Sequence, residues 1–268
     1  TGGTGPYWPA DIHLIGKDIL RFHAVYWPAF LMSAKVDPPE QVFAHGWWTV
    51  EGEKMSKSKG NWLDAFDLAD EFDLDLLRYF MIREIPLGAD GNFERKRLVE
   101  RNNSELADNL GNLVNRVTSM AQSFIDGTAP EYSKTSEDAD AALRETATQT
   151  VQDVVDAMDQ RESHKALEHI MALAKELNNY IQQTAPWKAN NEGDAERVDE
   201  ILYHALEGIR FVVVLSAAFT PDAAADILDA LGLPAITTGA VCVYHEMVPA
   251  AVDALAGSGI PVAAVSTG

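Results

Sequence analysis

The sequence predicts a mainly α-helical chain, with a partial α/β nucleotide-binding (Rossmann-like) piece at its start and a short βαβ-like tail at its end. Three observations predict this. Residues 11–50 read as strand, helix, strand. From about residue 96 apolar positions recur at the 3.6-residue helical period over long segments, and beyond Pro234 short continuous apolar runs return. Of the 268 residues 47% are apolar, enough for a real core and far too many for a disordered polyanion. The formal charge of −20, from 21 basic and 41 acidic residues, argues against a nucleic-acid partner unless the cations are grouped locally.

Taken in order, residues 11–16 form a first strand, 19–34 a helix and 41–50 a second strand. Two strands cannot stand alone and need sheet neighbours. A Lys- and Ser-rich loop follows at 54–61, and residues 64–83 alternate acidic and apolar positions in a helical rhythm. Helical segments are then expected at 97–125, 138–160, 163–184, 195–218 and 222–231. In the third, Leu167, Ile170, Ala174, Leu177 and Ile181 share one face, the stripe that a bundle helix buries. Pro186 and Pro221 fall at element edges. In the tail, 240–244 and 260–265 read as buried strands and 249–256 as a short helix. The expected units are therefore 1–50, 51–95, 96–235 and 236–268.

Several classes are set aside by what is absent. A lone cysteine, Cys242, permits neither an intramolecular disulfide nor a Cys-x-x-Cys zinc knuckle, so an intracellular chain without a zinc site is expected. The longest mostly apolar stretch, 211–219, is about half of what a membrane span needs, and nothing resembles a signal peptide.

The most informative string is Lys54-Met55-Ser56-Lys57-Ser58-Lys59-Gly60-Asn61, preceded by Phe43-Ala44-His45-Gly46. On composition it is equally a solvated basic loop or a phosphate-closing one. Two ammonium groups three residues apart on a small Ser/Gly frame can close over a triphosphate and offset charge building on the leaving pyrophosphate. The full string, placed after a strand, resembles the Lys-Met-Ser-Lys-Ser signature of class I aminoacyl-tRNA synthetases. The run His13-Leu14-Ile15-Gly16-Lys17-Asp18-Ile19-Leu20-Arg21-Phe22-His23, followed by Trp27-Pro28-Ala29, narrows the resemblance to the methionyl-tRNA synthetase family, over about residues 6–234.

That resemblance implies roles for particular residues. Lys54 and Lys57 would be catalytic and ATP-binding, with His13, Gly16 and Asp18 at the ATP site. Ile19, Phe22, His23 and Trp27 would belong to or border the methionine pocket. Read without the family, His13 is equally a satisfied histidine beside a sheet, and His23 and Trp27 read as helix–sheet core. In the helical half, Asn112 and Arg116 lie four apart and Trp187 follows Ala185-Pro186. By themselves these are a surface pair and a core or hinge tryptophan; the resemblance makes them the readers of a CAU anticodon. Amide, guanidinium and indole groups suit splayed bases, which are read by stacking and by hydrogen bonds to their edges.

The implied function is part of a methionine–tRNA ligase, with ATP and Mg²⁺, methionine and tRNA(Met) as partners, in the cytoplasm. The family's first catalytic half, with its His-Ile-Gly-His-type signature, would precede residue 1, so these 268 residues are expected to be inactive by themselves. The alternative is a non-catalytic tRNA-binding module. Residues 239–268 resemble an early fragment of deoxyribose-phosphate aldolase, a Schiff-base TIM barrel. With no basic residue after Arg210 there is no imine-forming lysine, so the tail is expected to be a fusion or artefact without activity; a family-specific extension is the other reading. The cation groups Lys54/Lys57/Lys59, Arg78/Arg83 and Arg95/Lys96/Arg97 are expected to face phosphate, and the acidic 131–160 helix to face solvent.

Overall fold

The computed structural model describes residues 8–56, 58, 60–132, 137–232, 241–244 and 262–265. The first strand, β1 (Ile12–Gly16), runs parallel to β2 (Gln41–His45), with Ile12 opposite Gln41 and Gly16 opposite His45. Between them a helical stretch starts with a 3-10 turn at Lys17–Ile19. It passes through a π-helical segment, Phe22–Tyr26, and ends as α1 (Trp27–Ser33).

The strand expected over 41–50 is two strands in different sheets. β3 (Trp48–Val50) pairs in parallel with β5 (Gly91–Phe93) and antiparallel with β4 (Glu53–Lys54). Gly46 is the cause of the break. A Cβ there would lie 2.0 Å from the Ala89 carbonyl oxygen, so only glycine lets the 89–90 backbone press against the turn. The Trp47 amide then donates to the Asp90 carboxylate at 2.9 Å. Residue 47 is thus held out of the first sheet, and β5 is too short for alternation to announce it.

Residues 64–83 are likewise two helices, α2 (Ala65–Glu71) and α3 (Leu74–Arg83). Asp64 caps α2 by accepting from the Phe66 amide, and Asp73 caps α3 by accepting from the amides of Asp75 and Leu76. An aspartate at each N-cap satisfies amides that the helix itself leaves open. Phe80, Phe93, Leu77 and Leu98 form a small core between α3, β5 and the next helix.

One long helix then runs as α4 (Arg95–Arg101), a π-helical segment (Asn102–Gly111) and α5 (Asn112–Phe124). The bundle continues with α6 (Asp138–Asp159), α7 (Ser163–Thr184), α8 (Pro186–Glu192), α9 (Ala195–Ser216) and α10 (Pro221–Ala230). The stripe read from sequence on α7 is fully buried at Leu167, Ile170, Ala174, Leu177 and Ile181. It packs against α6, α9 and α3. The element α8 is an addition to the sequence reading: Ala185 ends α7 in the left-handed region, at φ 46°, and Pro186 starts the next helix.

Two expectations need correction. The helix α6 is turned to solvent on one face only: Asp138, Glu145, Asp156 and Asp159 are exposed, but Leu143, Ala147, Val154 and Ala157 are buried against α7 and α9. The basic groups of 78–97 are not free to face phosphate. Arg78 donates to the carbonyls of Ala218 (2.8 Å) and Phe219 (3.2 Å). Arg83 pairs with Glu105 (3.2 Å) and Glu168 (2.8 Å), Arg95 with Glu71 (2.7 Å), and Arg97 with Glu84. With twice as many acids as bases, most of these cations meet a carboxylate first. Lys96 is the exception, 83% exposed with a loose 3.6 Å contact to Glu100.

In the tail, β6 (Val241–Tyr244) pairs in parallel with β7 (Val262–Val265), at the places expected for strands. The expected helix at 249–256 and the residues joining the bundle to the tail, 233–240, lie outside the described residues.

Candidate functional site

Two groups of residues gather the expected site positions. The first sits at the C-terminal end of β1. A Cβ on Gly16 would lie 2.5 Å from the Asp18 Oδ1 and 3.7 Å from the His45 Cε1. The bare glycine therefore lets the Asp18 carboxylate fold back over the strand end. Lys17 Nζ donates to both Asp90 oxygens, at 2.6 and 2.5 Å, and lies 4.2 Å from the centre of the Trp47 ring. The Asp90 carboxyl is held below its ordinary range by the Lys17 hydrogen bond and by the Trp47 amide. Lys54 Nζ lies 5.0 Å from the same ring, so Trp47 brings the two ammonium groups together.

Beyond Lys54 the loop is tied by Asn61. Its Oδ1 accepts from the Ser56 amide at 2.8 Å and its Nδ2 donates to the Lys54 carbonyl at 3.2 Å. The Ser56 and Ser58 hydroxyls are 2.8 Å apart. Lys57 and Lys59 lie outside the described residues.

On β1, the helical stretch after it and the residues before it, Trp8, His13, His23 and Trp27 form an aromatic group. Trp8 is 5.9 Å from His13 and 6.3 Å from Trp27, and His13 is 6.0 Å from His23, ring centre to ring centre. Burial, and then the charge of His23, lower the His13 pKa, and its buried Nδ1 has no hydrogen-bond partner. His23 Nδ1 is 3.1 Å from the Ile19 carbonyl, to which it donates when protonated there. Phe22 is not drawn into this group: it is exposed and stacks edge-on with Tyr26 at 5.6 Å. Ile19 is also exposed. Trp8 and Trp47 were missed from sequence, because an isolated tryptophan gives no sign of which rings or cations it will meet.

The second group is in the bundle. Asn112 and Arg116 occupy successive turns of α5, both exposed. Arg116 makes neither a hydrogen bond nor an ion pair among the described residues, unlike Arg83, Arg95, Arg97, Arg101, Arg197 and Arg210, each paired with a carboxylate. Trp187 is half-buried on α8, packed against the main core. Ala189 on α8 and Met120, Phe124 and Ile125 at the end of α5 share an apolar cluster with Val198 and Leu202, which sets α8 beside α5.

A buried ionic cluster supports the bundle from within. Arg197 Nη1 is 2.6 Å from Asp140 Oδ2 and 2.9 Å from Glu200 Oε2, and Nη2 is 3.0 Å from Glu137. Tyr180 donates to Asp140 at 2.7 Å. Burial opposes ionisation of Asp140, but hydrogen bonds from Arg197 and Tyr180 outweigh it and hold the carboxyl below its ordinary value. Asp140, Glu200 and His204 bring ligand-type atoms within 4.8 Å of one another, a spacing a metal ion could use. Arg197 already supplies the positive charge there, so a cation would have to displace a guanidinium that pairs with two of the three groups.

Comparison with known proteins gives one consistent family. The family model "tRNA synthetases class I (M)" matches residues 6–118, and the model "Anticodon binding domain of methionyl tRNA ligase" matches 129–261. The methionine–tRNA ligase of Rickettsia felis is 45% identical over 231 residues, covering 85% of this chain and 45% of that protein. That of Halalkalibacterium halodurans is 44% identical over 233 residues, covering 87% of this chain and 35% of the relative. Among solved structures, Mycobacterium tuberculosis methionyl-tRNA synthetase in complex with methionyl-adenylate superposes with a TM-score of 0.81 at 44% identity, over 85% of this chain and 45% of that one. The chain spans less than half the length of these relatives. No helix among the described residues is long and apolar enough to cross a membrane. With its catalytic-region and anticodon-binding models matched in tandem, the chain belongs to the methionine–tRNA ligase family.

Proposed function

We propose that the chain acts as part of a methionine–tRNA ligase, in the cytoplasm, joining methionine to tRNA(Met) at the expense of ATP. Asn112, Arg116 and Trp187 read the CAU anticodon in this scheme. The observation that carries the reading is Arg116, an exposed arginine without an ion pair among the described residues, one helical turn from Asn112. A guanidinium that no carboxylate holds can turn to a base edge without breaking an internal contact, and Asn112 on the same face supplies an amide donor and acceptor. Trp187 offers a ring on which an unstacked base can lie.

At the other site, Asp18 accepts from the ribose hydroxyls of ATP, as a carboxylate at the C-terminal end of a sheet strand can. Lys54 and Lys57 close over the triphosphate and offset the charge that develops as pyrophosphate leaves. Magnesium arrives with the nucleotide and neutralises phosphate charge. His23 and Trp27, joined by Trp8, make an aromatic wall suited to the methionine thioether, since sulfur is favourable against ring edges, and His13 stands between that wall and the ATP site.

The test of the anticodon reading is binding of RNA hairpins. The chain should prefer a CAU loop over other anticodons, and Trp187→Ala should abolish that preference. Equal binding of all hairpins refutes it. We further propose that these 268 residues by themselves do not form methionyl-adenylate. In support, among the described residues β1 and β2 make a sheet of two strands, and Leu14, Phe30 and Met32 around it are 60–69% exposed, so the site needs further sheet to close it. Methionine-dependent exchange of pyrophosphate into ATP by the purified chain would overturn this. Residues 239–268 are proposed to be an aldolase-like addition without activity of its own, and release of acetaldehyde from deoxyribose 5-phosphate would contradict that.

A further inference from the structure

The long helix from Arg95 to Phe124 changes pitch in its middle. Over Asn102–Gly111 its hydrogen bonding is π-helical, ending with the Asn112 amide donating to the Ala107 carbonyl, five residues back, before ordinary α-helix begins at Asn112. A π turn takes in an extra residue, so side chains beyond it are rotated by about 100° from where an unbroken α-helix would carry them. The two residues assigned to the anticodon, Asn112 and Arg116, are exposed polar residues in the first turn and a half after that change.

Three features converge on the segment. A Cβ on Gly111 would lie 3.2 Å from the Leu106 carbonyl oxygen, the group that π-helical winding brings up from five residues back. Asn109 Nδ2 donates to the Met171 carbonyl on α7 at 2.9 Å. From two turns further along α7, Asn178 Nδ2 donates to the Asn109 carbonyl at 2.9 Å, with Asn109 Oδ1 at 3.2 Å and the Ala174 carbonyl of its own helix at 3.1 Å. Asn109 is thus gripped from both sides by α7, three residues before Asn112. An asparagine pair replaces backbone partners that a change of helical register leaves unsatisfied.

We infer that Asn178 is a positioning residue for anticodon discrimination: with Asn109 and Gly111 it fixes the π-helical turn, and the turn fixes the direction in which Asn112 and Arg116 leave α5. This rests on the anticodon reading of those two residues. Asn178 itself touches no base. Its effect falls on the choice between anticodons rather than on general affinity for RNA, because the cations that attract phosphate are elsewhere.

The test compares the 268-residue chain with Asn178→Leu, Gly111→Ala and Arg116→Ala, using RNA hairpins with a CAU loop and with a single changed anticodon base. The quantity read is the ratio of the two Kd values, with helicity and thermal midpoint as folding controls. Asn178→Leu should lower the ratio roughly three- to tenfold, the range for one lost hydrogen bond. Gly111→Ala, which presses a methyl group on the same turn without touching α7, should lower it in the same direction. If both variants fold and keep the ratio while Arg116→Ala loses it, the inference is overturned and the anticodon reading stands. Equal weakening of both hairpins by Asn178→Leu also overturns it, since that is a plain loss of stability. If Arg116→Ala keeps the ratio, or the unsubstituted chain shows no discrimination, the anticodon reading fails and the inference falls with it.

Discussion

The first fifty residues and the helical bundle obey the same rules of burial with opposite results. In the bundle every apolar stripe meets another, so that Leu167, Ile170, Leu177, Ile181, Ile201 and Ile209 are wholly buried. Around β1 and α1 the residues Leu14, Phe22, Val25, Phe30 and Met32 are all more than half exposed. The difference is one of architecture. A helical hairpin buries its stripe against its sequence neighbour, whereas a parallel strand pair needs flanking strands and helices on both faces. The bundle is therefore a self-sufficient core, and the first segment leaves much of its apolar surface uncovered among the described residues.

That contrast can be broken at its strongest point. Arg197→Ala should destabilise the bundle by about 3–5 kcal/mol, because it removes the guanidinium that pairs with the fully buried Asp140 carboxylate. The measurement is urea unfolding followed by helicity, and a loss of under 1 kcal/mol would mean that water solvates the cluster. Leu177→Ala should cost about 2–5 kcal/mol in the same assay through the cavity it leaves.

Acid should then separate the two regions without mutation. The Asp140 carboxyl is held below 3.8, so in the unfolded chain, where an aspartate titrates near 3.9, it takes up protons more readily. Its contribution to stability is complete above about pH 4 and is lost as pH falls through the folded value. Bundle helicity should weaken there, and Asp140→Asn should flatten that part of the curve. His13 works in the same direction from a higher value. Its pKa is lowered from 6.5, so the folded form favours the neutral ring and that preference is lost on acidification. The smallest effect is expected at Leu14→Ser, where a 60% exposed side chain should shift stability by no more than about 0.5 kcal/mol. A large loss there would show that the first segment is packed against something in solution.

The balance between sequence and structure is clearest in the arginines. Eleven of the 21 basic residues fall within the first 97, and their clustering suggested a phosphate-facing strip. The structure instead places Arg78 on the carbonyls of 218–219 and Arg83, Arg95 and Arg97 on glutamates. Spacing along the chain could not reveal this, since Glu168 lies 85 residues from Arg83. Asp140 is a similar case: one acid among many on an acidic helix, it becomes the centre of a buried cluster only when Arg197 and Tyr180 arrive from two other helices. By contrast, the placing of Asn112 and Arg116 on one exposed helix face was legible, because a four-residue spacing on a helix is a local pattern.

Local patterns were what the sequence determined: the helical periods, the prolines that punctuate them, the α7 stripe and the Lys-Met-Ser-Lys-Ser string. These depend on residues within a turn or two of each other, where geometry follows from the backbone itself. Only the tertiary structure decided the split of 41–50 between two sheets, the meeting of Lys17 and Lys54 over Trp47, and the π-helical turn before Asn112. Each of these is set by a contact from far along the chain, the 89–90 backbone at Gly46, the indole at Trp47 and the Asn178 amide on α7. Such contacts have no counterpart in the order of the residues, because they arise only when separate elements are packed to the density of a protein interior.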